Sequence, residues 1–365
     1  MSGSPLLATL VAKGRRKERC EETISVELKA VEPAFEAISG SDYEAAKRIL
    51  VPLAESGNAL AMTDLGRLHG RDLIEESSIE TAKHWFCQAI EAGELSVLVD
   101  LAWMYESGQY GKADIKSAYE IYRLGAEADE VECMFQVGRC FLQGLGVSQN
   151  TANAMIWLGH AAHADHALAC YWMGSIYIDG RYIEQDASMA SNFYERAAEL
   201  GFAPAQNKLG IMYRDGIGRE KNLEQAWNLF WLSAAQGDAW GQYLIGCMYL
   251  TGQHVEQDYD AARQYLEAAV QQGLAEAQLE LGAMYGKGLG VPVDRLRTIE
   301  LYKLAADQDH PIAHCNLGTI FINGDGVARD FSRGLEHMKR AAELGDKEAK
   351  AGLAELRGDH GRRPH

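Results

Sequence analysis

Apolar and small residues recur along the chain with a step of 36 residues. From Gly210, steps of this length in both directions always reach a glycine or an alanine, and an apolar residue always precedes it. The small residues are Gly66, Ala102, Gly138, Gly174, Gly210, Gly246, Gly282, Gly318 and Ala354. Three residues later, eight of the nine copies have a ring, as at Tyr213. A fixed period of this length predicts a stack of equivalent helical or mixed units.

A second series with the same step consists of residues that begin helices. Its members are Asp42, Ser78, Asp114, Asn150, Asp186, Asn222, Asp258, Asp294 and Asp330. Side chains of these types accept a hydrogen bond from a free N–H group in the first turn of a helix. Four residues after each of them lies a small residue, such as Ala226 after Asn222. The series predicts nine helix starts with no insertion between the repeats.

Each repeat reads as two helices. In the repeat of Gly210, the helical spacing of apolar positions predicts a first helix, helix A, over about 203–214. A second helix, helix B, is predicted to begin after Asn222 and to end near Gln236, with Gly237 beyond its end. The slots equivalent to Gly237 hold Gly57, Gly93, Asp129, Asp165, Gly201, Gly273, Asp309 and Gly345. Glycine and aspartate tolerate the left-handed conformation that often follows a helix.

One such hairpin cannot bury its own apolar faces, whereas stacked neighbours can. We therefore predict an all-α fold, an α–α superhelix (solenoid) of about nine 36-residue helix-turn-helix repeats over residues 42–357. Residues 1–20 are predicted to be a disordered basic tail and residues 358–365 a second disordered tail. Residues 21–41 are a possible N-terminal capping helix, in which Lys29 and Pro33 depart from the repeat register.

The segment Ala277 to Asp294, AQLELGAMYGKGLGVPVD, carries nearly intact the pattern A-x-x-x-L-G-x-x-Y-x-x-G-x-G-V-x-x-D-x-x-x-A. This pattern resembles the Sel-one-like repeat (SLR), in the tetratricopeptide-like α-solenoid superfamily, and the resemblance covers about residues 42–357. It implies a non-enzymatic adaptor or scaffold that binds proteins. One alternative is an immunity or regulatory protein that inhibits a specific toxin or enzyme. A β-lactam-hydrolysing branch of the family is a weaker alternative, because its repeats carry paired cysteines that this chain lacks.

By analogy with tetratricopeptide solenoids, the A helices are expected to line a concave groove that holds a protein or peptide segment. The candidate partner-binding residues are Trp103, Phe135, Arg139, Tyr171, Asn207, Arg214, Trp240 and Tyr243. Phe135, Tyr171 and Tyr243 are expected to project into the groove, because aromatic residues and arginine tend to anchor interfaces. The alternative is that these rings pack against neighbouring A helices. The polar side chains of Arg139, Asn207 and Arg214 are candidates for binding a peptide carboxylate or main chain.

The charge of the chain bears on the kind of partner. With 35 basic and 52 acidic residues the net charge is −17, which disfavours nucleic acid and anionic membranes and favours a basic partner. No apolar run approaches the ~20 residues of a membrane span. The seven cysteines form no C-x-x-C pair, as expected of reduced thiols in a cytoplasmic protein.

Two motifs suggest other chemistry. The loop Gly216-Ile217-Gly218 is similar to phosphate-binding loops, but it follows a helix and recurs in other repeats, which favours a structural turn. His160, His163 and His166 have a spacing that could hold a metal. The slots equivalent to His163 are mostly glutamate, so we interpret the three as surface histidines. No nucleophile motif is present, and we expect no catalytic residues, no cofactor and no metal.

Overall fold

The computed structural model describes residues 5–15, 19–108 and 112–359, and all regular elements in these ranges are α-helices. They are α1 (Pro5–Arg15), α2 (Glu21–Ser39), α3 (Tyr43–Glu55), α4 (Ala59–Gly70), α5 (Ile79–Glu91), α6 (Val97–Ser107), α7 (Ile115–Glu127), α8 (Val131–Gln143), α9 (Thr151–His163), α10 (Ala167–Asp179), α11 (Ala187–Glu199), α12 (Ala203–Asp215), α13 (Leu223–Ala235), α14 (Ala239–Thr251), α15 (Tyr259–Gln271), α16 (Ala275–Lys287), α17 (Arg295–Ala306), α18 (Pro311–Asn323), α19 (Phe331–Glu343) and α20 (Lys347–Asp359). The predicted all-α solenoid is confirmed.

From α3 onward, B helices with odd numbers alternate with A helices with even numbers. The chain divides into two compact units, Met1–Gln185 (unit 1) and Asp186–His365 (unit 2). Within each unit, an A helix packs most closely on the B helix that follows it, as α12 does on α13. Every predicted cap residue precedes a B helix, and its side chain accepts a hydrogen bond from the backbone N–H three residues later.

The closest contact between paired helices lies at the small-residue series. A Cβ atom added to Gly210 of α12 would lie 2.4 Å from the ring of Phe230 on α13, which is fully buried. The equivalent Gly66 meets Phe86 in the same way, and Gly138 meets Leu158. The face of helix A that carries the small residue therefore packs against a large buried side chain of helix B, with the close packing typical of a protein interior.

The glycine turn between helices A and B is a structural element. Gly216 ends α12 with a φ of 73°, and its N–H donates to the carbonyl oxygen of Met212. A Cβ atom on Gly218 would lie 2.2 Å from the carbonyl oxygen of Ala187, the first residue of the preceding B helix. The turn thus rests on the backbone of its neighbour, as predicted for a structural turn.

The predicted left-handed residues after the B helices are also confirmed. All nine of these glycines and aspartates adopt positive φ, between 59° and 100°. In unit 2 the helix ends are further joined by glutamines that the sequence analysis did not single out. Gln272 at the end of α15 donates to the carbonyl oxygen of Gly237 and to the side chain of Gln242, at 2.8 and 2.9 Å. Gln308 makes the equivalent pair of bonds one repeat later.

The N-terminal segment corrects the predicted disordered tail. Residues 5–15 form α1, which packs on α5 and α7 and buries Leu7, Leu10 and Val11. The tail prediction overlooked that these apolar residues fall on one helical face; residues 1–4 and 16–18 lie outside the described residues. α2 occupies the segment predicted as a capping helix and includes Pro33.

At the C-terminal end, α20 includes residues 358 and 359. The prediction of a disordered tail over 358–365 is therefore wrong for these two residues, and 360–365 lie outside the described residues.

Two histidines face each other between α18 and α19. The Nδ1 atoms of His314 and His337 are 3.0 Å apart, so one ring must donate to the other, and both cannot carry a proton there. Burial lowers the pKa of both rings, and the neighbouring His314 further lowers that of His337. Asp309, 3.8 Å from His314 Nε2, opposes this effect, but Arg340 is paired with Asp309. The remaining charged groups that act on the pair are Arg333, Glu336, Lys303 and Asp307.

Gly210→Ala is expected to destabilise the protein by about 1–3 kcal/mol, because the new methyl group overlaps the ring of Phe230. Gly159→Ala is the matched control, since a Cβ atom there meets nothing within 4 Å and helix propensity favours alanine by up to about 1 kcal/mol. Urea denaturation measures both free energies of unfolding. Equal effects of the two substitutions would contradict the proposed role of the close contact.

Acidification is expected to destabilise α18 and α19. The unfolded histidines take up protons near the ordinary pKa of 6.5, whereas the folded rings resist protonation, so stability is lost as the pH falls below that value. His337→Gln should reduce the difference in unfolding free energy between about pH 7.5 and about pH 5.5. The exposed His160→Gln should leave it unchanged, and equal pH dependence in all three proteins would refute this origin.

Candidate partner-binding site

The A helices α6, α8 and α10 of unit 1 surround an open pocket of about 730 Å³. Its lining consists of Arg71, Val99, Asp100, Trp103, Glu106, Ser107, Tyr122, Phe135, Gln136, Arg139, Leu168 and Trp172. All but Arg71 and Tyr122 lie on the three A helices, and several of them share a slot of the repeat, as Val99 does with Phe135 and Trp103 with Arg139. The pocket therefore exists because equivalent positions of successive A helices lie side by side.

Aromatic side chains form one part of the pocket. Phe135 is only 3% exposed and meets Trp172 edge to face, with ring centroids 5.4 Å apart. It also stacks on His166 at 4.9 Å. Trp103, in contrast, is 43% exposed. The pocket thus combines a fixed aromatic base with one large indole that is open to solvent.

The charged groups of the pocket are paired with each other. Arg139 donates to both carboxylate oxygens of Glu106, at 2.8 and 2.7 Å, and its Nε donates to Gln136. The hydroxyl of Tyr122 donates to the same carboxylate at 3.0 Å. Burial, together with the Glu106 charge, raises the pKa of Tyr122 above its ordinary value. Because Glu106 already receives these donors, the ion pair holds one fixed geometry.

A second ion pair leaves one guanidinium open. Arg67 donates to Asp100 at 2.9 Å and also contacts Asp64. Arg71 approaches Asp100 only to 4.0 Å, and its side chain is 57% exposed. Among the arginines of this cluster, Arg71 is therefore the one that a ligand could bind without breaking a short ion pair.

His166 has a structural role that the sequence analysis missed. Its Nδ1 accepts a hydrogen bond from the backbone N–H of Ala169 and so caps α10, while its Nε2 lies 2.8 Å from Glu132. The geometry assigns the ring proton to Nε2, and the hydrogen bond lowers the pKa of Glu132. His160 and His163 are exposed as predicted, but the surface prediction is wrong for His166. Within the described ranges, no three histidine, cysteine or acidic side chains come together as a possible metal site.

Three of the four predicted residues in unit 1 share this pocket. Trp103, Phe135 and Arg139 line it, whereas Tyr171 is half-buried and is not among the lining residues. Phe135 was predicted either to project into the groove or to pack against a neighbouring A helix. Its burial and its contact with Trp172 of α10 agree with the packing alternative. Trp172 was not among the predicted residues, although its slot lies three residues before the slot of Trp103 and Arg139, a spacing that shares one helix face.

In unit 2 the four predicted residues separate into different roles. Trp240 is exposed and meets Tyr243 edge to face at 5.6 Å on α14. Arg214 is bound by both oxygens of the adjacent Asp215. Asn207 is buried and donates at 2.7 Å to Asp238, the residue that caps α14. Its amide nitrogen therefore already serves the helix cap, and the contact of Asn207 with a partner main chain stays a prediction.

The paired helices and the pocket on the A helices define an α-solenoid of the tetratricopeptide-like, protein-interaction class. The family model of the Sel1 repeat matches eight segments, and the chain belongs to this family. The matched residues are 59–94, 97–130, 131–166, 167–202, 203–238, 241–274, 275–310 and 311–346. Each match is a helix A followed by a helix B, so α3 and α20 lie outside the matches as half-repeats at the two ends.

Two solved structures extend this likeness. A protective antigen present in uropathogenic Escherichia coli strains, with an SLR fold, is 29% identical, with a TM-score of 0.68. The match covers 84% of this chain and 66% of the antigen, just under two thirds of its length. A Sel1 repeat protein from Oxalobacter formigenes is 26% identical, with a TM-score of 0.62, over 85% of this chain and 90% of its own. No curated protein matches the chain.

In the described part of the chain, no helix combines the length and the apolar character that crossing a membrane requires.

Proposed function

We propose that the chain is a non-enzymatic adaptor that binds a protein or peptide segment on its A helices, with the pocket of unit 1 as the main anchor site. The observation that carries the proposal is the exposed indole of Trp103 beside a pocket with a buried aromatic base. Tryptophan and arginine are enriched among the residues that dominate binding energies at interfaces. An apolar or aromatic side chain of the partner would fill the pocket between Trp103 and Trp172.

The pocket would bind by preorganisation. The pair of Arg139 and Glu106 is fixed by several hydrogen bonds, so the protein side loses little conformational entropy on binding. The partner segment bears most of the ordering cost. Arg71 is the guanidinium that would reach a carboxylate or carbonyl oxygen of the partner, in preference to Arg139 and Arg214, whose acceptors are already in place. Trp240 and Tyr243 would provide a separate anchor on unit 2.

Net charge and thiol chemistry add to this picture. A net charge of −17 attracts a basic partner over distances of about a Debye length and raises its rate of association. All seven cysteines are free thiols, as is typical of proteins in a reducing compartment, which supports a cytoplasmic location.

The experiment replaces Trp103 with alanine and compares it with Trp231→Ala. Trp231 is the same residue type and is 50% exposed, but it lies on the B helix α13. A photo-crosslinking residue at Ser107, on the pocket lining, identifies the partner in cells of the source organism, and the same residue at the exposed Ala152 controls for random capture. Calorimetry with the identified partner then gives the affinities.

Trp103→Ala is expected to weaken binding by about 2 kcal/mol, or roughly 30-fold, while Trp231→Ala changes it little. Trp240→Ala reports separately on the anchor of unit 2. Unchanged affinity in Trp103→Ala, with an intact fold by circular dichroism, would overturn the pocket as the anchor site. A captured enzyme whose activity falls on binding would assign the adaptor to the inhibitory class.

A further inference from the structure

A second surface of unit 1 already holds a helix. α1 lies on the B helices α5 and α7 and buries Leu7, Leu10 and Val11, which are 3%, 8% and 5% exposed. Ala8 and Ala12, on the other side of the helix, are exposed. The segment thus binds as an amphipathic helix would bind a groove, through apolar side chains at i, i+3 and i+4.

The receiving surface differs from the equivalent surface of the other repeats. At the slot of Ile90, the other repeats have Ala54, Ala126, Ala162, Ala198, Ala234, Val270, Ala306 and Ala342. At the slot of Leu95 most of them have alanine as well. Both residues are buried next to α1, and a Cβ atom on Gly14 would lie 2.2 Å from the carbonyl oxygen of Ile90 and 3.1 Å from Leu95. This repeat therefore carries larger apolar side chains where a helix docks closely.

Charges on the two sides are complementary. Lys13 lies 3.6 Å from Glu91, and Arg15 donates to the carbonyl oxygen of Glu127 at 2.8 Å and contacts Asp129. Glu91 and Glu127 occupy the same slot of adjacent repeats. The C-terminal ends of α5 and α7 thus present acidic groups to the basic end of α1, and α7 also presents the carbonyl oxygen of Glu127, an arrangement that helix dipoles favour.

The docking of α1 rests on few contacts. An isolated helix of 11 residues is marginal in water, so α1 is helical because it is docked. Its ion pairs through Lys13 and Arg15 are largely exposed and are weakened by salt. Local opening of such a segment needs less free energy than unfolding of the repeats beneath it. The groove can therefore become accessible while the solenoid stays folded.

We propose that the groove between α5 and α7 is a binding surface for a basic amphipathic helix of a partner protein, and that α1 is its intramolecular competitor. The partner helix carries apolar residues at i, i+3 and i+4, followed by basic residues at i+6 and i+8, as Leu7, Leu10, Val11, Lys13 and Arg15 do in α1. This surface is separate from the A-helix pocket and extends the proposed function to a second, regulated contact.

The test uses the full chain and a helical peptide with the sequence of residues 5–15, stapled through the exposed positions of Ala8 and Ala12. Val11→Asp removes α1 from the groove, and Ala12→Asp places the same charge on its exposed side as the matched control. NMR titration measures binding of the peptide to each protein. Val11→Asp is expected to bind at least about 10-fold more tightly than the wild type or Ala12→Asp, because the tethered competitor has left the groove.

Gly14→Val provides a second way to detach α1, since its side chain would overlap the carbonyl of Ile90. A peptide with Asp in place of Val11 should bind none of the proteins, and binding of the parent peptide should weaken with salt. Equal binding to all variants, no binding to either detached variant, or resonance shifts at Trp103 in place of Glu91 would each overturn the proposal. Trp103→Ala should leave peptide binding unchanged. A negative result for the groove between α5 and α7 would therefore leave the proposed A-helix pocket untouched, and the reverse also holds.

Discussion

The contact on which the rest of the structure depends is the one between the small residue of helix A and the large residue twenty positions later on helix B, as between Gly246 and Leu266. At the six glycines of this slot whose partner lies in the same unit, no Cβ atom fits without displacement of that partner, so the contact sets how closely the two helices approach. The turn between the two helices must then be long enough, and no longer, to start helix B at the position that this contact requires. This explains why the Gly210 and Asn222 series keep the same step from end to end.

The close contact constrains the residue types on only one face of each helix, and the residues on the other faces can differ between repeats. Tyr122 connects the two roles. It occupies the large-residue slot opposite Ala102 and is buried, yet its hydroxyl reaches Glu106 in the pocket. A core position thus supplies a donor that fixes the geometry of the Arg139 ion pair. In the proposed functions, binding specificity comes from such departures from the shared pattern, as at Trp103 and Ile90.

Periodicity predicted the structural features that all repeats share. Helix starts at the caps, helix ends at Gly237 and its equivalents, and the fold class all followed from it. The features it did not predict occur in one repeat or pair distant residues. The repeat pattern alone indicates a surface position for His166, because it does not show that Glu132 lies beside it. It likewise does not show that the side chain of Asn207 is hydrogen-bonded to Asp238. α1 has no repeat partner, so only its short apolar pattern signalled a helix.

The same locality bears on whether the two surfaces of unit 1 depend on each other. Both use α7: Tyr122 serves the A-helix pocket, and the carbonyl oxygen of Glu127 receives Arg15 of α1. The carbonyl oxygens of a last helical turn lack partners within the helix, so Arg15 satisfies a group that water can satisfy equally well. Departure of α1 therefore removes no bond that holds Tyr122, whose position is fixed by its burial in the core. Repeats that contact only their neighbours allow two such surfaces on one helix to be occupied separately.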